Sequence, residues 1–296
     1  MKFIRKLFTE ETAFIFSCPA FLWEFLFLYL PLTALAMYSF FVYSPVLQKF
    51  TFSIHYYLQV LDTLYFRAIL NSLILASATA FVCFIIAYPV AFFLAMRITP
   101  KYRSFFLFTL ILPSWTSLVI QIYAWFFLLE KEGFLSQILY TLGILPQSAH
   151  LLNNYFSIMV GMVSCFLPFM ILPIYVTLDK MDPELLEASA DLGANRTDTF
   201  KRVIFPLSLP GVYTGFLLVF IPVFGEFAIP SMLGGSTYVF WGSLIVDKFL
   251  RARDWPFGAA LAIVGIMLIV LIILSFVMIG RLMTHLRTIK VVKNKN

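Results

Sequence analysis

The chain has 296 residues, of which 61% are hydrophobic, 18% aromatic and only 12% charged. A soluble domain carries about 25% charged residues, so this composition excludes a soluble globular protein, and it equally excludes a disordered segment or a coiled coil. The mean hydropathy of +0.94 indicates a protein that lies within a membrane.

Six apolar stretches are long enough to cross a bilayer, because a helix of about 20 apolar residues spans about 30 Å of hydrocarbon. We therefore predict an all-α fold, a polytopic membrane bundle of about six transmembrane helices. The predicted spans are residues 13–40, 68–96, 105–128, 156–178, 209–231 and 258–280. The first of them is an uncleaved span and not a signal peptide, since its apolar part exceeds 7–15 residues and lacks a cleavage site.

The basic residues are distributed unevenly between the connecting segments, which alternate between the two sides of the membrane. One set holds 15 Lys and Arg: residues 1–11, 97–103, 179–202 and 281–296. The opposite set holds 6: residues 41–67, 129–154 and 233–257. Basic loops stay in the cytoplasm, so we expect both termini there. The net charge of +6 is thus a sign of topology, and we predict no nucleic-acid partner.

The connection between the fourth and fifth predicted spans carries helix start and stop signals. Asp182 is a good N-cap, Pro183 suits the first helical position, and Gly193 is a natural stop. We expect a second short helix to begin at Asn195 and to end before Pro206, because proline disrupts a helix interior. The first helix has a small apolar face, formed by Leu185, Ala188, Ser189 and Leu192. Two short helices on the cytoplasmic side predict a docking element.

The residues of this connection follow the spacing of a known motif. The connection resembles the EAA motif of the transmembrane subunits of type I ATP-binding-cassette (ABC) importers. It departs from the motif at three positions: Ser189 replaces the second Ala, Val203 replaces Ile and Phe205 replaces Leu. The resemblance implies coupling helices that sit in a cleft of a cytoplasmic ATPase subunit. The coupling residues that it implies are Glu187, Ala188, Ser189, Gly193, Val203, Phe205 and Pro206. We call residues 182–206 the EAA segment.

Further short sequences make the resemblance more specific. From about Leu64 to the C-terminus, the chain is similar to the spermidine/putrescine permeases. The short sequences are Trp115-Thr116-Ser117, Tyr123-Ala124-Trp125, Phe224-Gly225-Glu226-Phe227 and Arg253-Asp254-Trp255-Pro256-Phe257-Gly258. The resemblance implies an N-terminal helix with an outer loop (1–65), a permease core (66–280) and a basic cytoplasmic tail (281–296). The implied partners are ABC ATPase subunits, a second and related permease chain, an external substrate-binding protein and membrane lipid, in a bacterial inner membrane.

The chain itself lacks the residues of an ATPase. A phosphate-binding P-loop requires Gly followed by Lys, and none of the 13 glycines is followed by Lys. The three cysteines, Cys18, Cys83 and Cys165, lie far apart within predicted spans and form no metal-ligand spacing. We therefore predict no enzyme activity, no metal site and no cofactor on this chain, with ATP and magnesium held by the partner ATPase.

Two acids, Glu24 and Glu226, fall well within predicted spans. A charged side chain at the centre of a bilayer costs at least about 2.5 kcal/mol, so each should face protein, water or a cation. Polyamines are multivalent cations that pair with carboxylates and with aromatic faces, and Trp115, Tyr123 and Trp125 could supply such faces. Pairing with a neighbouring helix and packing in an interfacial aromatic belt remain the alternatives.

Two other functions stay open at this point. Permeases for other solutes share parts of the same short sequences, so the chain could carry another small organic or inorganic ion. An ion-coupled secondary carrier is the more distant alternative. Such carriers show acids at mid-span and often inverted repeats, whereas this sequence has no repeat at a fixed period.

Overall fold

A computed structural model describes residues 10–44, 49–144, 146, 150–235 and 238–293. Two strands form an antiparallel hairpin, β1 (Phe41–Ser44) and β2 (Lys49–Phe52). The remaining elements are helices: α1 (Glu10–Glu24), α2 (Leu30–Tyr38), α3 (His55–Gln59), α4 (Thr63–Met96), α5 (Pro100–Ile111), α6 (Leu118–Leu129), α7 (Phe134–Thr141), α8 (Tyr155–Asp179), α9 (Pro183–Asp191), α10 (Arg196–Thr199), α11 (Phe205–Gly225), α12 (Ala228–Leu233), α13 (Trp241–Val246) and α14 (Trp255–Lys293).

The predicted all-α membrane bundle is confirmed. Five helical stretches among the described residues are long and apolar enough to cross a membrane: Ser17–Tyr38, Thr63–Met96, Tyr155–Asp179, Arg196–Gly225 and Trp255–Ser275. The chain divides into two compact units, one formed by Met1–Asp62 with Ile245–Leu271, the other by Thr63–Leu244 with Ile272–Asn296.

The third predicted span, residues 105–128, falls on two helical stretches that together are long and apolar enough for one span but are sharply bent. The stretches Pro100–Trp115 and Leu118–Thr141 meet at an angle of 89°. Pro113 lies in a 3₁₀ turn, and Thr116 is extended with ψ 155°. The side-chain amide of Gln121 donates to the carbonyl of Pro113 at 2.5 Å and to the hydroxyl of Thr116 at 2.9 Å. The break begins at Pro113, which has no backbone N–H to donate. The two bonds from Gln121 provide a donor for the acceptors at the break.

In the second unit, α4, α8 and α11 pack against one another and form its core. Two glycines on α11 allow the close approach. A Cβ at Gly211 would come within 2.6 Å of the carbonyl oxygen of Pro173, and one at Gly215 within 2.8 Å of the sulfur of Met170. Small residues one turn apart are a common way to bring two membrane helices together, and here they join α11 to α8.

In the first unit, α1 and α2 form one long helix through a π-helical turn at Phe25–Tyr29. Its apolar residues from Pro19 to Ala34 are exposed, and Cys18 is exposed as well. By contrast, Cys83 and Cys165 are buried, as expected of small apolar side chains. At the end of α2, Ser39 and Tyr57 share a hydrogen bond of 2.6 Å between their hydroxyls, which connects this helix to α3.

Candidate functional site

The first short helix of the EAA segment forms where the sequence predicts it. The carboxylate of Asp182 accepts from the backbone N–H of Glu184 at 3.0 Å, and Pro183 occupies the first position. Gly193 has φ +77°. Its N–H donates to Ala190 at 2.8 Å, and the N–H of Ala194 donates to Ser189 at 3.1 Å. This pair of bonds is the Schellman motif, which favours glycine because only glycine adopts the left-handed conformation without cost.

The second short helix does not end before Pro206, so that expectation is wrong. Asn195 caps it by accepting from the N–H of Asp198 at 2.8 Å. The helix then continues through a π-helical turn, Phe200–Ile204, into α11 without interruption. In the π turn each N–H reaches back five residues, and the N–H of Phe205 donates to Phe200. Pro206 has no backbone N–H, and the π-helical hydrogen bonds before it accommodate this missing donor.

The structure divides the seven predicted coupling residues into an exposed and an internal set. Glu187, Ala188 and Gly193 are exposed on α9 and at its end. The other four are buried or half-buried: Ser189, Val203, Phe205 and Pro206. The hydroxyl of Ser189 lies 2.8 Å from that of Thr199 and closes the corner between the two helices. Ser189 therefore holds the corner together, and the exposed set is accessible to another molecule.

Aromatic side chains join the internal half of the EAA segment to α4. The ring of Tyr88 lies 5.9 Å from that of Phe200 and 5.7 Å from that of Phe205, and Phe92 lies 5.9 Å from Phe200, all between ring centroids. The hydroxyl of Tyr88 is 3.0 Å from that of Ser208. Edge-on and tilted aromatic pairs add specific attraction to apolar burial. These contacts join the EAA segment directly to α4.

An ion pair that the sequence analysis missed ties three helix ends together next to this segment. Arg103, on α5, pairs with Asp179 at the end of α8. The same guanidinium donates to the carbonyls of Ala95 and Ile98, at 2.6 and 2.9 Å, at the end of α4. Arginine can make these bonds together because its planar group has five donors. Arg103 and Asp179 both lie in polar connections that the sequence indicates. The sequence does not show that they pair, because they are 76 positions apart.

Glu226 lies just beyond a helix and not inside one, contrary to the predicted span 209–231. Helix α11 ends at Gly225, and Glu226 is extended with ψ 132°. Its carboxylate oxygen Oε1 accepts from the N–H groups of Phe227 and Ala228, at 3.1 and 2.8 Å. A carboxylate at a helix N-terminus satisfies free backbone donors, here those of α12. The other oxygen, Oε2, makes no hydrogen bond to the described residues.

The helix that begins after Glu226 is held firmly against α8. The hydroxyl of Ser157 and the N–H of Asn153 both donate to the carbonyl of Leu233, at 2.7 and 2.9 Å. A Cβ at Gly161 would come within 3.0 Å of the Ile229 side chain. Helix α6, which carries Tyr123 and Trp125, packs against α12. The structure therefore brings the helix of these two aromatic residues to the short helix that Glu226 caps.

The other two candidate pathway residues, Trp115 and Glu24, are both exposed. Trp115 is 76% exposed and forms an edge contact with Phe108, at 6.0 Å between ring centroids. Glu24 ends α1, and it is exposed within a long helix of the first unit. The part of both residues in a pathway stays a prediction.

The segment that follows α12 packs against the junction between α11 and α12, at Gly225 and Glu226. The sequence did not indicate this contact. The side-chain amide of Asn71 donates to Val239 at 3.1 Å, and the hydroxyl of Ser72 accepts from the N–H of Trp241 at 2.8 Å. Gly242 faces the carbonyl of Gly225, and a Cβ there would clash with it. This packing fixes the end of α11, and hence the position of Glu226, against α4.

In the first unit, two acids before α14, Asp254 and Asp247, have partners within the chain. The hydroxyl of Tyr56 donates to Asp254 at 3.3 Å, and its ring stacks on Phe257 at 5.0 Å. Burial, followed by the charge of Asp254, raises the pKa of Tyr56 to about 12. Asp247 lies 3.8 Å from Arg251 in an exposed pair. These contacts define a folded loop surface in which Asp254 is a structural acceptor.

A family of known proteins matches residues 87–288 of this chain: the binding-protein-dependent transport system inner membrane component family. Curated relatives extend the likeness over nearly the whole length. The chain is 37% identical to the spermidine/putrescine transport system permease protein PotB of Haemophilus influenzae, over 96% of this chain and 98% of that protein. It is 38% identical to the Escherichia coli protein of the same name, over 84% and 92%.

Solved structures match the fold at low sequence identity. A bacterial ABC transporter involved in the import of the acidic polysaccharide alginate aligns with a TM-score of 0.70 and 16% identity, over 95% of this chain and 99% of that chain. A bacterial alginate ABC transporter in complex with an alginate pentasaccharide-bound periplasmic protein aligns with a TM-score of 0.67 and 17% identity, over 92% and 94%. At this identity the likeness concerns the arrangement of the helices.

Proposed function

Since the chain belongs to the family of binding-protein-dependent transport system inner membrane components, we propose that it translocates polyamines of the spermidine and putrescine class into the cytoplasm. It is a multi-pass inner-membrane permease subunit of an ABC importer. The observation that carries the polyamine assignment is the 37% identity to a spermidine/putrescine permease over 96% of this chain.

The geometry at Glu226 supports a cationic substrate. One carboxylate oxygen is held by two backbone N–H groups, and the other has no partner among the described residues. An ammonium group can approach that second oxygen without breaking the cap of α12. The helix of Tyr123 and Trp125 packs against α12, so aromatic faces for a cation are available on the neighbouring element.

The partners follow from the exposed part of the EAA segment. Leu185 and Leu192, beside Glu187 and Ala188, are exposed on α9, Leu192 by 88%. Large apolar side chains exposed together on a charged helix favour a protein partner. We propose that an ABC ATPase subunit, which binds ATP and magnesium, covers this face. A second permease chain and an external binding protein complete the proposed importer, and this chain itself binds no cofactor.

The proposed orientation places both termini and α9 in the cytoplasm and α7 outside. Leu192 and Leu142 form a suitable pair for labelling, because each is an exposed residue just before the glycine that follows its helix. In a Cys18→Ser background, Leu192→Cys should react with a membrane-impermeant maleimide only from the cytoplasm, and Leu142→Cys only from outside. The reverse pattern would overturn the orientation.

Transport into proteoliposomes tests the substrate class. The purified complex should take up putrescine or spermidine on addition of ATP and binding protein, and should not take up unrelated cations. Glu226→Gln should reduce polyamine transport while assembly and basal ATP hydrolysis stay near normal, because the change removes a charge and keeps the size of the side chain. Glu132→Gln is the matched control, since Glu132 is an exposed acid in the turn before α7.

Two results would contradict the proposal. Uptake of another small organic or inorganic ion, with none of either polyamine, would favour an importer for a different solute. Equal loss of assembly and transport in Glu226→Gln would mean that the carboxylate serves only to cap α12. A long polyamine should be affected more than a short one if several of its amines meet acids along the path.

A further inference from the structure

An apolar groove opens between α4 and α5. It has a volume of about 410 Å³ and only apolar side chains in its lining, and its size lies within the range of small-molecule pockets. Phe93 and Phe106, on opposite walls, are 57% and 44% exposed. Two large aromatic side chains are therefore left without cover along a concave surface.

Each wall of the groove is a helical stripe that ends on a polar residue. On α4, Pro89, Phe93 and Arg97 are spaced four residues apart, and residues with this spacing lie on one face of a helix. The N–H of Arg97 donates to Phe93 at 3.0 Å, so the helical path extends to the arginine. The groove thus has an apolar interior on α4 and a guanidinium at its mouth.

The α5 wall has the same organisation. Tyr102, Phe106 and Leu110 are spaced four residues apart on one face, and Phe106 and Leu110 line the groove. The ammonium of Lys101 lies 5.8 Å from the centre of the Tyr102 ring. Basic groups therefore stand at the mouth on both walls, at the end of two membrane helices and hence at a membrane surface.

Two of the three basic residues at this corner are free to bind an anion. Arg103 is held by Asp179 and by carbonyls of α4. Arg97 and Lys101 are exposed and have no carboxylate within salt-bridge distance among the described residues. Residues 97–103 contain no acid. The mouth is consequently cationic, and the interior below it is apolar.

We propose that this groove binds one anionic phospholipid of the surrounding bilayer. One of its two acyl chains would lie along Phe93 and Phe106, and its phosphate would meet Arg97 and Lys101. Basic pockets between membrane helices bind anionic headgroups in this way. The groove is separate from the junction of α11 and α12 at Glu226 and from the exposed face of α9. Its test is therefore independent of the transported substrate.

The experiment measures lipid retention by native mass spectrometry. The full-length chain, purified in detergent, is mixed with equal amounts of phosphatidylglycerol and phosphatidylcholine that carry identical dioleoyl chains. We expect one phosphatidylglycerol to be retained in preference. Arg97→Gln with Lys101→Gln should weaken its binding about 25-fold, since each basic residue near an anionic headgroup contributes about fivefold. Arg251→Gln with Arg253→Gln, an exposed basic pair in another loop, should leave retention unchanged.

Further variants separate the groove from its mouth. Leu110→Trp should fill the groove and reduce retention of both lipids, whereas Arg97→Lys should keep most of the preference for phosphatidylglycerol. Retention that is equal for the two lipids, or unchanged in the double Gln variant, would overturn the proposal. A second arm places Phe106→Cys in a Cys18→Ser background. Efficient cross-linking of position 106 to another protein chain in native membranes would show that a protein helix fills the groove.

Discussion

The short helices that come before and after α8 in the chain stop in the same way but present different surfaces. Helix α7 precedes α8 and α9 follows it, and α8 itself is about 37 Å long at 1.5 Å per residue. Each ends in a Schellman motif at a left-handed glycine, with φ +69° at Gly143 and +77° at Gly193. A Cβ at either glycine would meet nothing within 4 Å. The local motif is therefore the same, and it cannot by itself account for a docking function.

What differs is the set of side chains around the motif. Helix α9 has an acidic N-terminal turn with a side-chain cap at Asp182, and it exposes Leu185 and Leu192 beside Glu187. Helix α7 has no side-chain cap at Gly133, and it contains no charged residue. We therefore expect the proposed ATPase to recognise the apolar and acidic pattern of α9, whereas the glycine turns the chain toward the next helix.

The largest expected effect comes from placing the same substitution at both glycines. Gly193→Asp and Gly143→Asp should each cost roughly 1 kcal/mol of local stability, the price of a left-handed residue with a Cβ. Only Gly193→Asp should detach the ATPase, since it also adds a charge at the proposed contact. Co-purification of the ATPase and substrate-stimulated hydrolysis measure this difference. Equal loss in both variants would show that the docking element lies elsewhere.

A change in stability alone, and therefore a smaller effect on ATPase binding than that of Gly193→Asp, is expected from the contacts at the two ends of α8. Arg103→Gln leaves Asp179 and two carbonyls of α4 without their partner, and we expect a loss of about 2 kcal/mol, because hydrogen bonds to charged groups contribute about 1.5–3. Asn154→Ala removes the N-cap that accepts from Ser157 at 2.9 Å, with a loss of about 1 kcal/mol. Thermal unfolding of the full chain in detergent compares them. A larger loss for Asn154→Ala would reverse this ranking.

The smallest effect concerns the buried serine of each short helix. The hydroxyl of Ser189 lies 2.8 Å from that of Thr199, and the hydroxyl of Ser136 donates to Leu129 at 3.2 Å. Each Ser→Ala change should cost up to about 1 kcal/mol. Ser189→Ala restores the alanine of the EAA motif, so the amount of bound ATPase should change by less than about twofold. Complete loss of the ATPase in Ser189→Ala, with Ser136→Ala normal, would assign the serine a specific role in coupling.

Several features of the fold and of the site could be predicted from the sequence, because their causes are local. The spans follow from the length of apolar runs, and the bounds of α9 follow from Asp182, Pro183 and Gly193, each of which acts within one helical turn. The left-handed glycine was likewise expected from its position after the last apolar residue. These signals require no knowledge of which helices are neighbours.

The tertiary structure alone decided the features that depend on distant residues. The ion pair of Arg103 joins positions 76 apart, and Ser72 holds the backbone of Trp241 across 169 residues. The end of α11 at Gly225 depends on Gly242, which packs against its last carbonyl. Hydropathy continues through Glu226 into α12, so composition extends the helix where packing breaks it. A membrane span can be recognised by its own residues, whereas the place where it bends depends on the neighbouring elements that satisfy its free backbone groups.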